Sequence, residues 1–298
     1  MNTDLTASPS SLRLLWPQWQ GAAPDVVGTL APELPLPLAQ TGYSLGTRIL
    51  DLLVPGSADQ RTEVVPVGDY SSTLGTDRGV YAREAVIDQL QAALHILQEA
   101  DPDKVTTLGG ECSVSVAPFS HLAAKYGDDL AVVWLDAHPD CTLPESHYNG
   151  YHAMAISHLI GHGDPDVLQA LPATIDPSRV ALAGLHAWAE DELPNVQAWG
   201  LTTFSPTVLN QGTESLLGWL KATGCSKVAI HLDVDVIDSS DVVLGLGMEP
   251  QGLSRDSVAE TIAALHGAAD VVALTVAEYL PRQVLALQDL LGKIEFPS

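Results

Sequence analysis

The sequence is short of basic side chains. Against 37 Asp and Glu it carries 13 Lys and Arg, a formal charge of −24 over 298 residues. Nucleic-acid binding wants a basic patch, and anionic membrane surfaces attract polybasic segments, so neither partner fits. A negative field suits a small cationic ligand, although surplus surface carboxylate serves solubility just as well. Long apolar runs are missing too: no stretch of ~18 apolar residues exists, which argues against a transmembrane helix. The opening MNTDLTASPSSLRLLW has an early acid and no apolar block, so it does not read as a secretory signal. Cys112, Cys141 and Cys225 form neither a CxxC pair nor a disulfide framework, and the expected compartment is the reducing cytoplasm. There is no internal repeat.

What is present is an apolar fraction of 46%, typical of a globular chain. Length alone permits two domains at roughly 100–200 residues each, but no linker forces a split, and one domain spanning 1–298 is expected. Short β-rich runs alternate with helical patterns. The strands expected are Leu12–Trp16, Glu63–Val67, Lys104–Leu108, Leu130–Asp136, Arg179–Gly184, Lys227–Asp233 and Asp270–Ala277. Helices are expected near Val80–Glu99, Ser113–Tyr126, His152–Ile160, Thr213–Ala222, Arg255–His266 and Arg282–Leu291. Continuous apolar strands imply cover on both faces, and the alternation predicts an α/β fold with a mostly parallel sheet. Such sheets place their sites beyond the carboxyl ends of the strands. The Pro-rich stretch Ala31–Gln40 reads as an irregular surface segment, and the loops Asp140–Gly150 and Ser239–Gly252 are long enough to build a site.

Two carboxylate clusters carry the chemistry. Trp134-Leu135-Asp136-Ala137-His138-Pro139-Asp140 runs an apolar strand into Asp-x-His-x-Asp, and extended geometry would put Asp136, His138 and Asp140 on one face. Ile230-His231-Leu232-Asp233-Val234-Asp235 ends another strand in Asp233 and Asp235. Carboxylates held together resist ionising, and a divalent metal reverses that logic. Mostly carboxylate donors with some imidazole favour Mn²⁺, with Zn²⁺, Ni²⁺ or Fe²⁺ as alternatives. A third signal, Leu108-Gly109-Gly110-Glu111-Cys112-Ser113, ends a strand in glycines that permit a close backbone approach. Cys112 would then sit at the same sheet edge.

In this order, GGECS, DAHPD and DVDVIDS resemble the ureohydrolase family of arginase, agmatinase and formiminoglutamase. That family shows Gly-Gly-Asp-His-Ser, Asp-Ala-His-x-Asp and Asp-x-Asp-x-x-Asp-Pro. The resemblance runs from about Leu108 to Pro281. It implies a three-layer α/β/α domain around an eight-stranded, mainly parallel sheet, and a site for two manganese ions. By motif position Asp136 and Asp233 would bridge the ions, His138 and Asp235 would complete one, and Asp140 would bind the other. Where the family has His, this chain has Cys112, a softer donor less suited to Mn²⁺; the family Asp before it is Glu111. His231 reads first as a satisfied core histidine and alternatively as a substitute ligand or as a hydrogen-bond partner of the ligands. Asp238 is expected to orient its loop rather than bind metal.

The same resemblance implies a metal-dependent hydrolase of a C–N bond in a small cationic guanidino or amidino compound. His152 falls at the family's acid/base histidine, with a suitable pKa range, while His147, His158 and His162 are expected to face solvent. Glu278 falls at the carboxylate that grips the guanidinium, which can accept two parallel N–H bonds. The loop Cys141–Asn149 differs from the arginase pattern, which argues against arginine itself. Family members are often trimers or hexamers, so a homo-oligomer is expected. Two alternatives stand beside this reading: a catalytically degenerate metal-binding or interaction protein on the same scaffold, and a zinc deacetylase-like amidohydrolase. The latter typically carries an adjacent His-His pair, which this chain lacks.

Overall fold

The computed structural model describes residues 10–22, 32–35, 41–54, 56–68 and 74–298; most of the Pro-rich stretch Ala31–Gln40 and the first nine residues lie outside them. The elements in chain order are β1 (Ser11–Trp16), α1 (Gly42–Leu53), β2 (Arg61–Val64), the hairpin strands β3 (Thr76–Asp77) and β4 (Val80–Tyr81), α2 (Arg83–Ala100), β5 (Lys104–Gly109), α3 (Val116–Tyr126) and β6 (Leu130–Leu135). They continue with α4 (Ala155–Leu159), α5 (Pro165–Ala170), β7 (Val180–Ala183), α6 (Glu192–Ala198), β8 (Thr202–Phe204), α7 (Pro206–Leu209), α8 (Glu214–Thr223), β9 (Lys227–Asp233), α9 (Arg255–Ala268), β10 (Asp270–Ala277) and α10 (Val284–Leu291).

Eight strands form one sheet in the order β2-β1-β5-β10-β9-β6-β7-β8, and every neighbouring pair is parallel. The period-two alternation of the strands divides their side chains between two cores. Val132, Trp134 and Ala229 face a layer holding α2 and α3, while Val133, Leu135, Ile230 and Leu232 face a layer holding α8, α9 and α10. This is the expected three-layer α/β/α arrangement, and it explains why β6 and β9 read as continuous apolar runs.

Several elements differ from expectation at their edges. The helix expected from Val80 starts at Arg83 because Thr76–Asp77 and Val80–Tyr81 form a tight antiparallel hairpin instead. The helix expected over His152–Ile160 is a 3-10 turn, His152–Met154, followed by the five-residue α4. The edge strand β8 and the helix α1 lie where the sequence pattern shows no element. β8 is three residues long with one buried side chain, too short to show a period. Helix α1 (GYSLGTRILDLL) carries two glycines that weaken a helical signal, yet Gly46 is required: a Cβ there would lie 2.0 Å from the Tyr279 carbonyl oxygen.

His158, expected to face solvent, is fully buried in α4. Its Nε2 accepts a hydrogen bond from the Asp164 amide at 3.1 Å, so the ring is neutral, and burial pushes its pKa down to about 4 from 6.5. An unfolded chain therefore binds the extra proton first as the pH falls. The stability due to the neutral ring is complete above pH 6.5 and is lost as the pH drops to about 4, a loss of about 3 kcal/mol by linkage. Urea unfolding of the wild type and of His158→Gln across this window checks it: the two curves should converge towards pH 4.

Candidate metal centre

Four adjacent central strands, β5, β10, β9 and β6, deliver the site to one edge of the sheet. Register sets the level. Trp134 pairs with His231 and Leu135 with Leu232, so Asp136 emerges beside Asp233; Ala277 pairs with Asp233, so Glu278 emerges at the same height. On β5 the Gly-Gly turn lets the chain fold over the sheet edge. Gly110 donates to the Trp16 carbonyl at 2.8 Å and accepts from the Glu278 amide at 2.7 Å, and a Cβ there would lie 1.7 Å from the Gln18 carbonyl oxygen. Glu111 then caps a 3-10 turn, Cys112–Ser115, by accepting from the Ser113 amide at 3.0 Å.

Three donor groups result: Cys112, His152 and Glu278 form one, and the other two share Asp136. In the first of these two, buried throughout, the ligand atoms of Cys112, Asp136, His231 and Asp233 lie within 4.8 Å of one another; in the second, those of Asp136, His138 and Asp235 do. Asp136 turns Oδ2 to the first group, 3.8 Å from Cys112 Sγ, and Oδ1 to the second, 3.6 Å from His138 Nδ1. Cys112 Sγ lies 3.0 Å from Asp233 Oδ2, and His138 Nδ1 lies 3.2 Å from Asp235 Oδ2. The strand-end aspartates also hold their own turns: His138 N donates to Asp136 at 2.6 Å and Asp235 N to Asp233 at 2.7 Å. Trp134 Nε1 donates to Asp136 Oδ2 at 3.0 Å; the i, i+2 spacing on one strand face could have revealed that partner. Asp140, also buried, belongs to none of these groups, and its Oδ2 has no partner among the described residues. Asp238 accepts from the Ser240 amide at 2.9 Å and so shapes its loop.

The electrostatics fit divalent cations. Burial, then the charge of Asp235, pushes Asp136 up to about 6. Burial with neighbouring carboxylates raises Asp233 and Asp140 well above the usual range and raises the Cys112 thiol. Of these four aspartates only Asp235 is held low, since the His138 charge and hydrogen bond outweigh its burial. Carboxylates that repel one another, with unpartnered Asp140 Oδ2 and His231 Nε2, form a set that cations would satisfy.

Above this floor, His152 and Glu278 meet. His152 Nδ1 is 3.2 Å from Glu278 Oε1, and its Nε2 is 2.7 Å from the Tyr148 hydroxyl. Burial disfavours the imidazolium, but the hydrogen bond and charge of Glu278 prevail and raise the His152 pKa. Glu278 also accepts from the Cys112 amide at 3.1 Å and from the Tyr43 hydroxyl. Its φ of +63° is unusual for a residue with a side chain, a strain of ~1–3 kcal/mol of the kind that gathers at functional sites. Tyr43 and Tyr148 escape sequence reasoning; Tyr43 lies 235 positions from its partner and carries no local signal.

These groups open on a cavity of about 840 Å³, lined in part by His138, Asp140, His152, Trp188, Glu192, Asp233, Asp235, Met248, Glu249 and Glu278. Six of its lining side chains are carboxylates, and none of the described lining residues is Lys or Arg.

A family model described as the arginase family matches residues 46–286. An arginase of Staphylococcus aureus (strain MSSA476) is 25% identical over 212 residues, 68% of this chain and 69% of that protein. An arginase of Eremothecium gossypii is 30% identical over 200 residues, 62% of this chain and 48% of that protein. Among solved structures, the native arginase of Bacillus caldovelox superposes with a TM-score of 0.75 at 20% identity, covering 96% of this chain and 98% of that one. Proclavaminate amidino hydrolase of Streptomyces clavuligerus superposes with a TM-score of 0.65 at 18% identity, covering 96% of this chain and 90% of that one. Identities this low show a shared fold.

Proposed function

Because the chain belongs to the arginase family, we propose that it hydrolyses a C–N bond in a small guanidino or amidino compound, using divalent ions held by Asp136, His138, Asp140, Asp233 and Asp235 together with Cys112. The observation that carries this reading is the pair of donor groups sharing Asp136 at the floor of an acidic cavity. When bound, such ions lower the pKa of water towards neutrality and so supply hydroxide to a guanidinium carbon that water alone attacks slowly.

The chain's own residues do the rest. Glu278 binds the cation, accepting N–H bonds from the planar guanidinium. Its Oε1 already faces the His152 imidazole, so the substrate takes that place and turns His152 towards the nitrogen that will leave. His152, an imidazole whose pKa the Glu278 hydrogen bond and charge raise, gives that nitrogen a proton as the C–N bond breaks. Tyr148, bonded to the other ring nitrogen, fixes the ring during the transfer, and Tyr43 anchors the far oxygen of Glu278. The acidic lining without Lys or Arg favours a cation whose far end carries no carboxylate, in keeping with a recognition loop unlike that of arginases.

Incubating protein loaded with Mn²⁺ or Zn²⁺ with a panel of guanidino compounds, and assaying urea or the released amine, tests the activity. Glu278→Gln keeps the size and one acceptor but removes the charge. It is expected to weaken substrate at least about 10-fold, mainly in KM, since charge-assisted bonds are roughly twice as strong as neutral ones. Unchanged kinetics in that variant would sink the role of Glu278.

A further inference from the structure

We infer that the first of the two ion positions is a thiolate–imidazole site, in which Cys112 Sγ and His231 Nε2 join one oxygen each of Asp136 and Asp233. Such a site takes a thiophilic, borderline cation of the Zn²⁺ class in preference to Mn²⁺. The inference rests on the proposed metal site and adds a ligand, His231, and a metal preference to it.

The core-histidine reading of His231 fails on its bonding. A satisfied buried histidine uses both ring nitrogens, yet here only Nδ1 is engaged, 2.8 Å from Ser115 Oγ. Nε2 is buried with no hydrogen-bond partner among the described residues and points to the carboxylates, 4.0 Å from Asp136 Oδ2. The ring cannot swing away, because it stacks on Trp134 with centroids 3.6 Å apart and planes 9° apart. An Nδ1–H donated to Ser115 leaves the Nε2 lone pair free, the tautomer a metal-bound histidine needs; outer partners of this kind orient metal-ligating imidazoles.

The spacing fits. Zinc with ligands at ~2.0–2.3 Å in a tetrahedron sets its donors roughly 3.3–3.7 Å apart. Here Sγ lies 3.0 Å and 3.8 Å from the two carboxylate oxygens. The four donor atoms all fall within 4.8 Å of one another, whereas Asp140 is outside the group. A sulfur, a nitrogen and two carboxylate oxygens are softer as a set than the all-oxygen or oxygen-rich sites that suit Mn²⁺. On binding, the Cys112 S–H bond breaks, the sulfur keeps the electron pair for the metal and the proton leaves to solvent.

The test uses the full-length chain, stripped of metal, in a His138→Asn background that removes the imidazole of the second group. One equivalent of Zn²⁺ is added and its X-ray absorption recorded. One sulfur neighbour with imidazole scattering is expected, and one equivalent of Co²⁺ should give a thiolate-to-cobalt charge-transfer band in the near ultraviolet. Cys112→Ser should abolish the sulfur neighbour and the band. His231→Gln should keep the sulfur, lose the imidazole scattering and weaken Zn²⁺ at least about 100-fold, beyond the roughly 10–100-fold cost of losing an outer partner. Should His231→Gln fail to fold, His152→Gln in the same background decides the matter, since His152 is the other imidazole grouped with Cys112: imidazole scattering that survives it belongs to His231, and its loss would overturn the assignment. Ions bound without sulfur, or a loss of affinity that follows Asp140→Asn and not His231→Gln, would overturn this inference and leave the hydrolase reading standing. Failure to bind any ion would overturn both.

Discussion

Asn in place of Asp136 is expected to cost at least about 10³-fold in kcat for guanidino hydrolysis while making the metal-free protein more stable. The first effect follows from position: Asp136 is the one residue shared by the Cys112–Asp136–His231–Asp233 and Asp136–His138–Asp235 groups, so one substitution weakens both proposed ion positions, and with them the source of hydroxide, whose pKa must fall from 15.7 to about 7. The second effect has the opposite sign because its cause is different. Without ions, burial and the charge of Asp235 push the Asp136 pKa up to about 6 from 3.8. A carboxyl raised in this way favours folding fully below pH 3.8, and that contribution is lost as the pH rises through about 6. The gap corresponds to about 3 kcal/mol at neutral pH. Asn escapes that cost, but its single oxygen can accept from only one of Trp134 Nε1 and His138 N, which bond different oxygens of Asp136, so a net gain of about 1–2 kcal/mol is expected. Urea unfolding of chelator-treated protein at pH 7.5 and pH 4 measures it, with the gain shrinking at the lower pH. A variant less stable than wild type at pH 7.5 without metal, or one retaining full metal content, would contradict this account of the site.

The opposing effects explain why the centre is legible in the amino-acid sequence. Buried carboxylates at strand ends have little reason to cluster unless something offsets their repulsion, and Asp136, His138, Asp233 and Asp235 stand out as a charge pattern interrupting apolar strands. The parallel sheet is legible for the same reason: β6, β9 and β10 are buried on both faces and show it as unbroken apolar runs. What the sequence hides depends on long-range placement. Tyr43 reaches Glu278 from α1, a helix whose Gly42 and Gly46 disguise it, and both glycines exist because residues of the segment after β10 press against them. His231 has the local look of an ordinary core residue; only the stack on Trp134 from the neighbouring strand and the one-sided hydrogen bonding distinguish it. His158 gives no sign of its burial because a short, broken helix has too few turns to define a buried face.

Replacing Arg83 with Met is expected to destabilise the chain by about 3–5 kcal/mol, the largest stability loss foreseen for any single change outside the apolar core. Arg83, at the start of α2, is buried, and its guanidinium bonds both oxygens of Asp164, at 2.7 Å and 2.8 Å, and Asp166 at 2.6 Å. Asp164 is buried as well. Burial alone would raise its pKa, but the Arg83 bonds and the helix amides it caps win and hold it low. Methionine would fill much of the space yet leave a buried carboxylate without its cation, and the carboxylate cannot escape to water without uncapping α5. Arg83→Lys should recover only part of the loss, since an ammonium cannot make the planar two-point contact. The double variant Arg83→Met, Asp164→Leu should be more stable than Arg83→Met alone, because it removes the stranded charge. Denaturant midpoints at pH 7 measure all three. The effect should reach the cavity too: the Asp164 amide bonds His158, and His158 lies one helical segment beyond the turn that carries His152. A loss under ~1 kcal/mol, the size of an exposed ion pair, would show that water reaches this pair and that α2 does not brace His152, the proposed acid/base histidine.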